Sequence, residues 1–281
     1  MAFKAMMTTC EPLEPVYKTY AEKFERILRM SSSYPLAVKM LTKDDNIPEQ
    51  AKRPLRDFGC YLNTCQCFAL SRRTGEMIAQ KKDDMWCFEP VIAYGITGGD
   101  MDAYNAGLEA FLDGKTRYPM GAKDHEIALK WASEVPRFEP DQYVGIISAP
   151  LMRAGFRPDL AILFINPVQL NLVLSGISYQ WGESVQCKIA SEGGCVNYVV
   201  PPIQNGDFWI SNPCYGDIAS AIGLPSELVI SIPMEKVEQL LVGMDRPNMG
   251  TPTRYQVAPE GWLPPFYAEM AEILKMHRAS K

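Results

Sequence analysis

Histidine is scarce in this sequence, which holds only His125 and His277 among its 281 residues. Zinc sites built from two or three imidazoles and the catalytic triads of many hydrolases both depend on histidine. Helical spacing places each of these two residues on a solvated helix face. The scarcity therefore argues against histidine-based metal sites and histidine-dependent catalysis.

Long hydrophobic runs and an excess of positive charge are also missing. The longest apolar runs, such as 160–165, fall far short of the ~20 residues that span a bilayer. The first ten residues lack the apolar stretch of a signal peptide. The formal net charge of −5 gives no broad positive field for a phosphate backbone. We therefore expect a cytoplasmic protein that binds neither membranes nor nucleic acid.

The apolar content is that of an ordinary globular protein. Hydrophobic residues make up 47% of the chain and charged residues 22%, a composition that excludes intrinsic disorder. A chain of this length buries roughly 75% of the surface that it exposes when unfolded. The 20 glycines and 22 prolines interrupt every long periodic stretch and exclude a coiled coil. We expect a single globular unit.

Apolar periodicity predicts both helices and strands. The spacing of Tyr17, Phe24 and Leu28 predicts an amphipathic N-terminal helix, and the apolar run 160–165 between two prolines predicts a buried strand. Further helices are expected at 60–73, 168–179 and 234–242, and further strands at 35–41, 77–86, 144–149, 185–190, 208–211 and 228–232. This order of elements predicts an α/β or α+β fold with a mixed sheet.

A faint internal repeat divides the chain. A strand, a helix ending at a glycine, a polar strand and a cysteine follow one another in 34–99 and again in 143–233. A helical insertion at 100–135 and a helical C-terminal tail at 245–281 complete the predicted organisation. If the halves pack as pseudo-symmetric neighbours, Cys87 and Cys195 should occupy equivalent strand ends and approach each other. The alternative is that any two strand–helix–strand units look alike in sequence.

The eight cysteines are the most informative residues. Because the sequence shows no export signal, they are expected to be thiols, metal ligands or redox groups rather than disulfides. Cys65 and Cys67 lie two apart in a predicted helix, so at most one of them can face a common site. Cys195 and Cys214 lie beside glycines, which let the backbone approach an inorganic group closely. With Cys87 they give a candidate set from four segments: Cys65, Cys87, Cys195 and Cys214.

Four thiolates suit two kinds of metal centre. We expect an iron–sulfur cluster, with tetrahedral zinc as the alternative, since soft sulfur ligands select both. If only three cysteines bind, the open position would let the metal act as a Lewis acid in a hydratase or hydrolase. A site closed by four cysteines points to electron transfer or to structure. Free cysteine is also among the most buried residue types, so packing thiols without a ligand role are the plain alternative.

Three polar residues are candidates for binding a small organic molecule. Asn166 and Gln169 start a helix directly after a buried strand, where ligands collect in open α/β sheets, although an asparagine there can equally cap the helix. Arg153 could hold a substrate carboxylate or form a surface ion pair. A small-molecule enzyme is the leading interpretation, and a non-catalytic cluster carrier or metabolite-binding protein is the alternative. The sequence leaves a homo-oligomer open.

Several segments resemble an uncharacterised prokaryotic family, domain of unknown function 169, over roughly residues 15–245. The segment 35–39, Pro-Leu-Ala-Val-Lys, is similar to the family's early Pro-Val-Ala-Val-Lys. The other matching segments include Arg-Pro-Asp at 157–159, Asn-Pro-Val-Gln at 166–169, Cys-Tyr-Gly at 214–216 and Ile-Ser-Ile-Pro at 230–233. The resemblance implies that Cys65, Cys87, Cys195 and Cys214 occupy the family's recurring cysteine positions and share one site.

One departure from the family pattern follows the last cysteine. The family commonly has glycine followed by arginine, whereas this chain has Gly216 followed by Asp217 and Ile218. An anion-binding role for that arginine therefore does not carry over to this chain. The resemblance implies a shared cysteine site and supplies no reaction.

Overall fold

The computed structural model describes residues 12–97, 123–191 and 193–246, together with single positions at 102, 106, 270, 272, 273, 275 and 276. The chain divides into two compact units, 1–249 and 250–281. The predicted insertion at 100–135 and the predicted tail at 245–281 lie largely outside the described residues. Helix is present in the described part of each.

A six-stranded sheet forms the centre of the first unit, in the order β2-β3-β1-β4-β6-β5. Its strands are β1 (Leu36–Leu41), β2 (Ile78–Lys81), β3 (Gly145–Pro150), β4 (Leu160–Ile165), β5 (Trp209–Ser211) and β6 (Leu228–Pro233). Every neighbouring pair of these strands is antiparallel. The α+β class is confirmed. The parallel pairing expected of a mixed sheet is limited, among the described residues, to single bridges at Lys52–Ile78 and Leu62–Met85.

Helices flank the sheet. They are α1 (Pro15–Leu28), α2 (Thr64–Thr74), α3 (Phe88–Ala93), α4 (His125–Glu134), α5 (Pro167–Trp181), α6 (Gly194–Asn205), α7 (Tyr215–Ser220) and α8 (Val237–Met244). α1, α5 and α8 pack in one hydrophobic cluster with one face of the sheet. α2, α3 and α6 pack in a second cluster with the opposite face. A strand covered on both faces is apolar at successive positions, which is why β4 is one continuous apolar run in the sequence.

The two halves of the sheet share one topology. The first three strands lie in the order β1-β3-β2 and the last three in the order β4-β6-β5, and the halves meet where β1 pairs with β4. In each half the third strand ends at a proline, Pro150 or Pro233, followed by one turn of 3-10 helix. The internal repeat is therefore present at the level of strand order.

The predicted boundaries and register of the repeat need correction. β3 completes the first half, so 34–99 and 143–233 do not divide the sheet into its halves. The segment 185–190, expected to be a strand, is irregular, and α6 rather than α5 corresponds to α2. Cys65 and Cys195 are therefore equivalent, as the second residues of α2 and α6. Cys87 is equivalent to Cys214, because each directly precedes a six-residue helix.

Candidate metal centre

Helices α2 and α6 each present a cysteine in their first turn. α2 starts with a capping box, in which Gln66 N–H donates to Asn63 Oδ1 at 2.7 Å and Asn63 N–H donates to Gln66 Oε1 at 3.0 Å. This cap fixes the turn that carries Cys65. Cys195 is the second residue of α6, and both thiols are buried. The free N–H groups of a helix N-terminus favour the thiolate form of such a cysteine.

The other two cysteines precede the short helices α3 and α7. Cys214 N–H donates to Asp217 Oδ2 at 3.0 Å, and the Cys214 sulfur accepts a hydrogen bond from Asp217 N–H. Cys214 is buried, whereas Cys87 is half-buried. The fold thus delivers each of the four cysteines from the start of a different helix.

Cys65 lies beside two of the other thiols. Its Sγ atom lies within 4.8 Å of that of Cys214, and it also adjoins Cys195. The ligand atoms that all lie within 4.8 Å of one another belong to Cys65, Cys214 and Asp217, so Cys195 stands just outside this group. Cys87 lies close enough for its charge to interact with those of Cys195 and Cys214. Cys65 is thus the thiol nearest the centre of this region, and Cys87 is the farthest out of the four.

The surroundings of Cys65, Cys87 and Cys195 make these three thiols hard to ionise. Hydrogen bonding with Cys195 and Cys214, followed by burial, raises the pKa of Cys65 well above its ordinary value. At Cys87, burial is the main cause that raises the pKa well above its ordinary value. At Cys195 the bond with Cys65 acts to lower the pKa, but burial and the neighbouring Cys214 thiol outweigh it, and the pKa is raised. A metal ion that binds here would displace protons from these thiols.

Gly194 permits this close packing. A Cβ atom there would lie 2.5 Å from the Tyr198 hydroxyl oxygen and 2.6 Å from Asp217 Oδ2, so no side chain fits. A Cβ atom at Gly216 would lie 3.4 Å from the Cys65 sulfur and 3.6 Å from the Cys214 sulfur, which is ordinary contact. A side chain at Gly194 would therefore displace the groups around the thiols.

Sequence reasoning missed Asp217 as a member of the site. Its side chain is 2% exposed, and a carboxylate oxygen lies within 4.8 Å of the sulfurs of Cys65 and Cys214. Burial raises the pKa of Asp217, against the lowering effect of hydrogen bonds from Tyr198 and Cys214. The one local signal in the sequence is the spacing Cys-x-x-Asp, which is that of a helix capping box.

The remaining described cysteines lie outside the site. Cys67 is buried on another face of α2, near the exposed Cys60 and Asp84. Cys187 is half-buried in the irregular segment 183–190. Helical spacing required that Cys65 and Cys67 diverge, and they do.

The three residues proposed from sequence to bind a small molecule have structural partners. Asn166 Oδ1 accepts from Gln169 N–H at 2.9 Å, and Gln169 Oε1 accepts from Asn166 N–H at 2.8 Å, which makes a capping box for α5. Gln169 Nε2 donates to the Leu28 carbonyl at 2.7 Å and so ties α5 to the end of α1. Arg153 Nη1 donates to the Gly75 carbonyl at 3.3 Å.

The cap geometry gives a prediction for Asn166. Asn166→Ala removes the acceptor for the first turn of α5 and should lower the free energy of unfolding by about 1 kcal/mol. Urea unfolding of the variant and of the parent, both in the same metal state, measures this. Metal content should not change, because α5 lies on the sheet face opposite the cysteines. A variant with unchanged stability would contradict a capping role.

Sequence comparison identifies the family of the chain. The model of the family described as Uncharacterised ArCR, COG2043, domain of unknown function 169, matches residues 23–243. The chain belongs to this family. The match to domain of unknown function 169 spans the whole sheet and all four cysteines of the site. Comparison with curated proteins and with solved structures gave no match.

A membrane span is not found in the part of this family member that the structure describes. None of the helices there is at once long enough and apolar enough to traverse a bilayer.

Proposed function

We propose that Cys65, Cys195 and Cys214 hold a metal ion, with Cys87 as a displaceable fourth thiol, and that the ion acts on a small organic molecule. The observation that carries this proposal is the convergence of three buried thiols from three separate helices, with Cys65 beside both Cys195 and Cys214. Buried thiols can pack without a ligand role. Chance packing, however, does not require that cysteines at equivalent positions of two topological halves converge on one point.

The contacts favour a single ion over an iron–sulfur cluster. Zinc–thiolate bonds of about 2.3 Å in a tetrahedron place neighbouring sulfurs about 3.8 Å apart. The Cys65 and Cys214 sulfurs lie within 4.8 Å of each other, near this spacing, and a single ion requires Cys195 to move closer to them, whereas sulfurs that bind different irons of a cluster must lie farther apart. Zinc is therefore the metal that this site supports best. An iron–sulfur cluster is the alternative, and its visible absorption distinguishes it.

The position of Cys87 supports a Lewis-acid role. It is the least buried of the four thiols and lies at the edge of the cysteine group. When this thiol is displaced, an open position on the ion can take a hydroxyl or carbonyl oxygen, as in hydratases and hydrolases. Three fixed ligands with one exchangeable position are the arrangement of catalytic rather than structural zinc.

A cavity next to α6 supports a small-molecule substrate. It has a volume of about 330 Å³ and is lined by apolar groups that include Trp131, Pro136 and Ile189, with Asn197 at its α6 side. Asn197 is two residues after Cys195 and so lies on another face of α6; its side chain donates to the Gly193 carbonyl at 3.0 Å, which places the cavity beside the start of α6 rather than against the thiols. A volume of this order suits a small ligand. Polar and apolar linings together favour an organic molecule with one polar end.

A metal carrier is the second candidate, because the half-buried Cys87 could pass an ion to another protein by ligand exchange. Either role places the protein in a reducing compartment, the cytoplasm, where thiols stay free. Turnover of a small organic substrate would favour the enzyme. Transfer of the ion to a chelating acceptor protein without turnover would favour the carrier.

The metal centre itself is tested by composition. Protein purified anaerobically should contain about one zinc ion per chain by elemental analysis, with no visible absorption band, since zinc is d¹⁰. The four site thiols should react slowly with a thiol reagent until the metal is removed. Iron and sulfide with a visible spectrum would establish the cluster instead. Metal-free protein with four reactive thiols would contradict the proposal.

A further inference from the structure

The two halves place different side chains beside their equivalent cysteines. Three residues after Cys65 stands Phe68, and three residues after its equivalent Cys195 stands Tyr198. Three residues after Cys87 stands Pro90, and three residues after Cys214 stands Asp217. At these positions the second half therefore adds a hydroxyl and a carboxyl group to the site, where the first half has apolar side chains.

These two groups contact each other and the cysteines. The Tyr198 hydroxyl donates to Asp217 Oδ2, which also accepts from Cys214 N–H at 3.0 Å. Both side chains are buried. A carboxylate oxygen of Asp217 and the sulfurs of Cys65 and Cys214 all lie within 4.8 Å of one another. Around a tetrahedral ion, sulfur and oxygen ligands are separated by about 3.6 Å, so a small adjustment brings all three atoms onto one ion.

Asp217 makes no ion pair among the described residues, although it is 2% exposed. Arg72, the cation whose charge acts on it, is instead ion-paired with Glu227 at 2.9 Å. Buried carboxylates in proteins are paired with a cation or bound to a metal. A metal ion among the cysteines would supply the missing positive charge.

We propose that Asp217 is an oxygen ligand of the metal, which is then held by Cys65, Cys195, Cys214 and Asp217. This inference rests on the proposed metal centre and deepens it. The Tyr198 hydroxyl and the Cys214 N–H both donate hydrogen bonds to Asp217 Oδ2 and so orient the carboxylate. Carboxylates that bind metals are commonly oriented by such hydrogen bonds. Asp217 then takes the fourth position in place of Cys87, which lies outside the primary ligand set, and the Lewis-acid role requires the ion to expand to five ligands when a substrate oxygen binds. Mixed sulfur and oxygen ligation suits zinc or ferrous iron better than copper(I), which prefers sulfur alone.

The test counts ligand atoms on the full chain. Metal-free protein is loaded with Co²⁺ or Zn²⁺, and X-ray absorption of the bound metal is compared in the parent, Cys87→Ser and Asp217→Asn. The parent should show three sulfur ligands and one oxygen, and Cys87→Ser should show the same set. Asp217→Asn keeps the shape and the cap acceptor of the side chain, so α7 should fold, and its metal affinity should fall by at least ~10-fold.

Tyr198→Phe separates positioning from ligation. It removes a hydrogen bond to the carboxylate and should weaken metal binding by about 10- to 100-fold while three sulfurs and one oxygen remain bound. Four sulfurs in the parent, reduced to three in Cys87→Ser, would overturn the assignment of Asp217 and leave the metal centre standing. A parent protein that binds neither Co²⁺ nor Zn²⁺ would overturn both proposals.

Discussion

Cys65→Ser is expected to abolish most metal binding. Cys65 is the one thiol that lies beside both Cys195 and Cys214, so its loss removes the ligand at the centre of the group. We expect metal affinity to fall by more than ~100-fold, beyond the cost of losing an outer-sphere partner. Competition with a chromophoric chelator measures the affinity, and elemental analysis of the purified variant measures the occupancy.

Cys67→Ser is the matched control for that experiment. Cys67 is buried on the same helix two residues later, but its thiol lies near Cys60 and Asp84 rather than in the cysteine group. The control should keep its metal, although burying a hydroxyl costs it some stability. Equal metal loss in both variants would mean that disturbing α2, rather than removing a ligand, releases the metal.

The strands were the part of the fold that sequence patterns predicted best. β1, β3, β4 and β6 are near-continuous apolar runs because helices cover the sheet on both sides. Such runs are bounded by prolines and polar loops, so their ends are also visible in the sequence. Their pairing is not visible, because a run that is apolar on both faces carries no alternation to indicate direction or neighbour.

Helix α6 was missed because two prolines lie within it. Pro201 and Pro202 have no N–H group to donate to the carbonyls one turn earlier. The carbonyl of Tyr198 is satisfied instead by the Ser231 hydroxyl on β6, at 2.6 Å. This donor comes from a distant part of the sequence. No local pattern could show that the helix survives its prolines.

That missed helix also misaligned the repeat. With 185–190 taken as a strand, Cys195 matched Cys87, whereas the structure matches Cys195 with Cys65 through α6 and α2. The choice of the four cysteines did not depend on this pairing, because it rested on the local setting of each cysteine and on the family resemblance. Asp217 could not be found in this way, since its place beside Cys65 depends on how α7 packs against α2.

The last prediction concerns the charges that hold α2 in place. Arg72, on the second half of α2, is 1% exposed; its Nη1 lies 2.9 Å from Glu227 Oε1, and its guanidinium carbon lies 4.0 Å from the centre of the Phe164 ring. Arg73 Nη2 reaches the same Glu227 oxygen at 2.6 Å. One carboxylate thus neutralises two neighbouring guanidinium groups.

Glu227→Ala should lower the free energy of unfolding by about 3–5 kcal/mol, because it leaves a buried guanidinium without a counter-charge. Arg72→Met should cost less, since Arg73 still pairs with Glu227 and methionine fills much of the volume. The double variant Arg72→Met/Glu227→Leu should be more stable than the sum of the single losses predicts, because the fully buried guanidinium is removed together with its partner and only Arg73, which is 13% exposed, loses its carboxylate.

Denaturant unfolding of the four proteins in one metal state measures these differences. Glu134→Ala is the control, because the Lys188–Glu134 pair is exposed at 82% and 60%, and exposed pairs contribute about 1 kcal/mol or less. Additive losses in the double variant would show that Glu227 acts through its other contact, the hydrogen bond from Leu224 N–H at 2.9 Å. Since α2 also carries Cys65, Glu227→Ala should weaken metal binding as well, whereas Glu134→Ala should not.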